Sequence, residues 1–236
     1  MVSEFLRRAP WLDEDLVTGY ARIFDTLYVL IAVIWIAVSP GLIDPNGKPV
    51  GTDFMNVWAA GELALAGEPG AAYDYARHYE VQAKALPYAE GQEATYFGWP
   101  YPPHFLLIAA LLALLPYGAA LAAWMMVTLP IYLPPVRSII PYQRWWLFAL
   151  AFPAVFVNLG HGQNGFLSVG LLGLGLLSLE RRPLLAGIFF GLLTYKPQLG
   201  FLLPLALLAG RHWLAFIAAS ITAVVAAPAC YGGFCF

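Results

Sequence analysis

Charged residues are scarce: Asp, Glu, Lys and Arg make up 11% of the 236 residues, where a soluble domain carries roughly 25%. Cysteine is nearly absent as well. Cys230 and Cys235 are the only two, too few for a disulfide scaffold, and they read as idle thiols in a terminal CYGGFC run. The net charge of −2 comes without any basic stripe, which excludes a nucleic-acid surface. No metal-ligand spacing, nucleotide-binding loop or Ser/His/Asp arrangement stands out, so a divalent metal is left undecided.

Hydrocarbon is what the chain has in excess. Hydrophobic residues reach 61% and the mean hydropathy is +0.70, more apolar surface than a soluble fold can hide. Charge-free stretches run from Tyr101 to Val136 and from Trp145 to Leu179, interrupted only by His104 and His161. Such stretches suit a bilayer, where helices satisfy their own backbone groups. Asp13, Glu14 and Asp15 fall where the apolar core of a cleaved signal peptide belongs, so the first helix, expected over Phe24 to Ile43, is read as retained. The expected fold class is all-α, a polytopic transmembrane bundle with partners among membrane lipids.

The expected organisation is an N-terminal segment (1–23), a first membrane helix (24–43), a polar loop (44–103), further membrane helices (104–228) and a short tail (229–236). A loop of that size is usually functional. Pro and Gly punctuate it around two helix-like stretches, roughly Asp53 to Ala66 and Tyr73 to Leu86. In the first, Phe54, Trp58, Gly61 and Leu65 share a face, as in a helix lying flat on a bilayer surface. Tyr96, Phe97, Trp99 and Tyr101 are interface-type aromatics. Asp74, Glu62 and His78 read as solvated.

After the loop, Pro103 to Leu115 offers only about 20 Å of helix against roughly 30 Å of hydrocarbon. Whether it crosses or turns back is decided by charge. If 104–115 re-enters, Arg7, Arg8, Arg22, Arg137, Arg144, Arg181, Arg182 and Arg211 share the N-terminal side, opposite Lys48, Arg77, Lys84 and Lys196. That is eight against four in the sense of the positive-inside rule, and crossing inverts the count. The re-entrant arrangement puts the N-terminus in the cytoplasm and the loop outside. Two hairpins follow, turning at His161–Gly165 and at Tyr195-Lys196-Pro197-Gln198, both on the loop's side, with arms short enough to recess the turns in the outer leaflet.

Asp53 opens the first loop helix. From the residues alone it is either a general base facing the cavity or the helix N-cap. Lys196, in an apolar hairpin, is either a phosphate partner or a snorkelling cation. His161, Gln163 and Asn164 offer donors and acceptors to a polar ligand, though a turn needs polar residues anyway. Gly170, Gly173, Gly175, Gly187 and Gly191 permit close helix approach, within the chain or to a partner.

Four ordered blocks, DFMNVWAAGELALAGEPGAAYDY, WPYPPHFLLIAALLALLPY, GHGQNGFLSVGLLGLGLL and ERRPLLAGIFFGLLTYKPQLGFLLPLALLAGRHW, resemble bacterial glycosyltransferase family 87, the polyprenyl-phosphate-mannose-dependent mannosyltransferases. The resemblance spans roughly Phe24 to Ser220. It implies a GT-C-like fold in the bacterial inner (cytoplasmic) membrane, a polyprenyl-phosphate-linked sugar as donor, and an acidic general base after the first span. Carried over, that base is Asp53; Lys196, Gln198, His161, Gln163, Asn164 and Tyr101 are the expected contacts to the donor phosphate and sugar. Relatives are usually longer, so the alternative expectation is a truncated, silent homologue serving as an accessory subunit among the proteins of a larger membrane complex.

Overall fold

The computed structural model describes residues 13–88, 93–200 and 202–226. Cys230, Cys235, Arg7, Arg8 and the 229–236 tail lie outside the described residues. Within them the fold is helical, and the only extended pairing is one isolated bridge between Ile43 and Pro49.

Helix α1 runs over Glu14–Ala37, ten residues earlier than the expected start at Phe24. The acidic residues that spoke against a signal peptide cap it. Asp13 accepts a hydrogen bond from the Leu16 N–H at 2.8 Å, and Glu14 and Asp15 lie in the first turn, where carboxylates suit the positive end of the helix dipole. The far end stops at Ala37, short of Ile43, and a turn over Pro40–Leu42 follows in which Gly41 and Leu42 both take positive φ. Most of α1 faces outward; only 6% of its apolar window is buried. It packs on α6 (Trp145–Ala151), and Tyr28 stacks on Phe156 at 4.6 Å.

Helix α2 (Thr52–Leu65) is the centre of the fold. The expected surface-lying helix is instead buried on nearly every side, from Phe54, Met55 and Val57 through Ala59, Ala60, Gly61, Leu63 and Ala64. Its run of Ala and Gly lets neighbours come close all round, which a count of polar and apolar positions does not register. Against it lie α3 (Tyr75–Ala85) and α4 (Phe105–Ala113). Trp99 is buried, and Phe97 and Tyr101 pack on the core, so these aromatics face inward and not to a bilayer interface. Asp74 caps α3 by accepting from the Arg77 N–H at 2.9 Å. His78 is fully buried, contrary to the solvated reading.

A Cβ at Gly61 would collide with the backbone carbonyl of Ala109, so α2 and α4 touch main chain to main chain there. Gly61→Ala is expected to destabilise the protein by about 1–3 kcal/mol, because neither backbone can yield as a flexible side chain does. Thermal unfolding in detergent checks this; an unchanged midpoint would mean the two helices are free to separate.

Helix α4 has nine residues, about 13 Å of rise, and ends before Pro116. Helix α5 (Tyr117–Ile139) follows, carrying Pro130, Pro134 and Pro135 in its interior. Among the described residues only α1 and α5, at 24 and 23 residues, are long and apolar enough to cross a membrane. The first hairpin's leading arm breaks at Phe152 into α6 and α7 (Pro153–His161), then returns as α8 (Gly165–Ser178). The second hairpin comprises α9 (Pro183–Leu192), α10 (Pro197–Gly200) and α11 (Leu203–Ala209), followed by α12 (Trp213–Ala226). The five glycines noted above face helices of the same chain: Gly170 meets Ile131, Gly173 meets Pro135, Gly175 meets Phe190, Gly187 meets Ala215 and Gly191 meets Thr222.

Candidate functional site

The loop's first helix, the His161–Gly165 turn and the turn after α9 meet at one end of the bundle. Gly51, at φ 81°, occupies the cap position of α2, so Asp53 is not the N-cap. Its side chain is half-buried and accepts a hydrogen bond from Gln163 Nε2 at 2.6 Å. One turn-forming residue is thus tied to the start of α2 across 110 positions of sequence. Among the described residues no other hydrogen bond reaches Asp53, which leaves one carboxylate oxygen available to a ligand.

The turn itself is held from within. Gly162 closes α7 at φ 65°, and a Cβ there would lie 2.6 Å from that of Phe54. Asn158 bridges the turn, donating to the Gln163 carbonyl at 3.1 Å and accepting from the Gly165 N–H at 2.8 Å. Gly51 N–H donates to the Gly160 carbonyl at 3.2 Å, and Thr52 Oγ1 pairs with His161 Nδ1 at 2.6 Å. Tyr117 fixes the entry to α2 from below, donating to the Val50 carbonyl at 2.7 Å.

On the other flank, Asn164 Nδ2 donates to the Tyr101 hydroxyl at 2.8 Å. That hydroxyl keeps its own proton to offer a ligand. Burial pushes the Tyr101 phenol above its ordinary range, with the nearby Asp53 charge adding to it and the Asn164 bond opposing it, so it stays a donor. Tyr195 OH pairs with Ser168 Oγ at 2.6 Å, and its ring stacks on Phe105 at 4.8 Å. This anchors the turn carrying Lys196, whose side chain is half-buried; burial lowers its pKa, and the Asp53 carboxylate opposes that shift. Gln198 is exposed and makes no hydrogen bond to the other candidates among the described residues.

The geometry therefore gathers Asp53, Gln163, Asn164, Tyr101 and Lys196, with His161 at the rim on Thr52, and does not draw in Gln198. Thr52, Asn158, Ser168 and Tyr195 support the site and were not singled out from the sequence. Tyr195 stood in the expected turn, beside Lys196, and Thr52 stood beside Asp53; adjacency was the only signal for either.

A carboxylate with a free oxygen, a phenol proton, a carboxamide and a cation on one wall can bind a polyhydroxylated ligand with a phosphate and take a proton from a hydroxyl. Beneath it lies an apolar cavity of about 680 Å³ between α1 and the α5–α7 layer, lined among others by Tyr28, Trp35, Leu121 and Phe156. Its walls include Val50 and Gly160, the residues just before Gly51 and His161, so the cavity's outer end adjoins the polar site.

Compared with known proteins, residues 99–234 match the family model described as Glycosyltransferase family 87. The matched region carries Tyr101, the turn residues and Lys196, while Asp53 precedes it. No curated protein and no solved structure matches the chain.

Proposed function

The chain belongs to glycosyltransferase family 87, and from that membership we propose that this membrane glycosyltransferase moves a hexose, mannose, from a polyprenyl phosphate to an acceptor hydroxyl, with Asp53 as general base. The observation that carries the reading is the Gln163–Asp53 hydrogen bond of 2.6 Å, with Lys196 within electrostatic reach of the carboxylate. It holds a carboxylate oriented, with an oxygen to spare, and Lys196 supplies a cation that suits a leaving phosphate.

The reaction is a single displacement. Asp53 takes the acceptor's proton, the hydroxyl oxygen bonds to the anomeric carbon, and the bond from that carbon to the lipid phosphate oxygen breaks with its electron pair leaving on the phosphate. The anomeric centre inverts. Lys196 offsets the charge on the departing phosphate, and Tyr101 and Gln163 hold sugar hydroxyls. The apolar cavity suits the donor's hydrocarbon chain, since its mouth adjoins the polar groups.

In the membrane we place the N-terminus in the cytoplasm, the polar loop and both turns outside, and α4 as a re-entrant segment, giving a multi-pass protein of the cytoplasmic membrane. The shortness of α4 and the convergence of the loop with both turns support this arrangement. All five small-residue positions pack on helices of the same chain, so they lend no support to the accessory-subunit alternative.

Reconstituted in lipid nanodiscs with polyprenyl phosphate mannose and octyl α-mannoside, the chain is expected to transfer mannose without any nucleotide sugar. Transfer from a nucleotide sugar alone, or no transfer from the lipid donor, would sink the reading. Retention of anomeric configuration in the product would sink the single displacement.

A further inference from the structure

Between the Asp53 helix and Tyr101 runs a buried polar chain that the reaction itself does not use. His78 and Gln82, one turn apart on α3, are both fully buried. His78 Nε2 lies 3.1 Å from the Asn56 carbonyl oxygen. A carbonyl only accepts, so Nε2 carries the hydrogen and Nδ1 is the bare nitrogen. Gln82 Nε2 approaches Nδ1 at 3.3 Å and donates to it; its 3.4 Å approach to Nε2 sets donor against donor and makes no bond. The same amide clasps the Phe97 backbone from both sides, donating to the carbonyl at 2.7 Å and accepting from the N–H at 2.9 Å. Every hydrogen-bonding position of both side chains that faces this chain is satisfied. Burial lowers the His78 pKa, which keeps the imidazole neutral as this pattern requires.

The ends of the chain matter most. Asn56 follows Asp53 by three residues on α2, one turn on the same helix. Phe97 precedes Tyr101 by four residues, and Tyr101 accepts from Asn164, the neighbour of the Gln163 that holds Asp53. Hydrogen bonds and chain connectivity together close a ring: Asp53, the 163–164 turn, Tyr101, back along the chain to Phe97, Gln82, His78, Asn56, and back along α2. Buried, fully paired polar groups of this kind specify one arrangement, because any slip leaves a donor or acceptor unpaired in a dry interior.

We infer that His78 and Gln82 are positioning residues for the transfer reaction, fixing the Asp53 carboxylate and the Tyr101 hydroxyl in mutual register through the Asn56 and Phe97 backbone. This rests on the reading of Asp53 as base. A displacement on the order of 1 Å at reacting groups can cost about 100-fold in rate, so the clasp acts on turnover. Donor affinity depends on it less, because Lys196 and the apolar cavity, which meet the phosphate and the hydrocarbon chain, lie outside the ring, whereas only the sugar contacts of Tyr101 and Gln163 lie on it.

The test is steady-state transfer from polyprenyl phosphate mannose to octyl α-mannoside by the full chain in nanodiscs. Gln82→Met keeps length and loses all three hydrogen bonds; His78→Leu loses both of its own. Each is expected to lower kcat by about 10- to 100-fold while the donor KM moves by a smaller factor. His78→Gln, whose amide can still donate to the Asn56 carbonyl and accept from Gln82, is expected to recover most of the loss. In an Asp53→Asn background, His78→Leu should cost much less than in the parent, since the carboxylate it positions is gone and only its effect through Tyr101 is left. Normal kcat in folded Gln82→Met, or an undiminished cost in the Asp53→Asn background, overturns the inference. Should His78→Leu fail to fold, Gln82→Met alone and in the Asp53→Asn background makes the same discrimination. An Asp53→Asn single variant that transfers normally fails the base assignment itself, a different result from either.

Discussion

Asp53→Asn is expected to lower the transfer rate by about 10² to 10⁴, the usual contribution of a positioned general base. The substitution replaces one oxygen by NH₂ and changes little else. Of the described contacts on that side chain, the Gln163 bond is the one hydrogen bond at risk, and the amide oxygen of Asn can still accept it. Turnover should therefore collapse while binding of polyprenyl phosphate mannose, read by quenching of intrinsic tryptophan fluorescence, stays within a few-fold. A loss of binding equal to the loss of rate would assign Asp53 to holding substrate and not to taking a proton.

Removing the cation should cost nearly as much. Lys196→Met retains an unbranched apolar stem of similar length and deletes the charge, so the phosphate leaves into a half-buried pocket with nothing to offset it. Loss of one such electrostatic contact typically costs about 10² to 10³ in kcat. Lys196→Arg is expected to recover part of it, since the charge survives though its geometry changes. The discriminating measurement is a comparison of donors. If charge on the leaving group is what Lys196 answers, the defect shrinks with a donor whose leaving group is a better one. An identical defect with both donors would place Lys196 in ground-state binding or in simple packing of the turn.

The two substitutions differ in what was readable beforehand. Asp53 and Lys196 stood out in the sequence because ionisable residues are rare in this chain, and rarity near apolar segments is a signal in itself. The bounds of the loop helices were also legible: Thr52–Leu65 and Tyr75–Ala85 fall within about two residues of the expected stretches, because Gly51, Pro69 and Asp74 punctuate them. Their surroundings were not. Helix α2 carries only Asp53 and Glu62 as charges, a pattern equally compatible with a surface helix and a buried one, and its neighbours α3 and α4 decide the matter. His78 occurs in a polar segment and looks solvated until the Asn56 carbonyl, 22 residues away, is seen to receive it. The start of α1 was hidden for a different reason. A run of acids marks water and also marks a helix cap, and here one run does both.

The hydrogen bond from Gln163 to Asp53 joins residues separated by 110 positions, and that separation bears on how the protein is made. At about 5–20 residues per second of synthesis, roughly 5–20 s pass between emergence of the carboxylate and emergence of its partner. During that interval the loop helix that carries the carboxylate has no turn to rest on. The proposed active centre is therefore assembled late, by the arrival of the first hairpin at a loop that has been waiting. Substitutions at Gly162 or Asn158, which shape that hairpin's tip, are expected to be felt first as poor yield of folded protein from the membrane and only afterwards as lost chemistry.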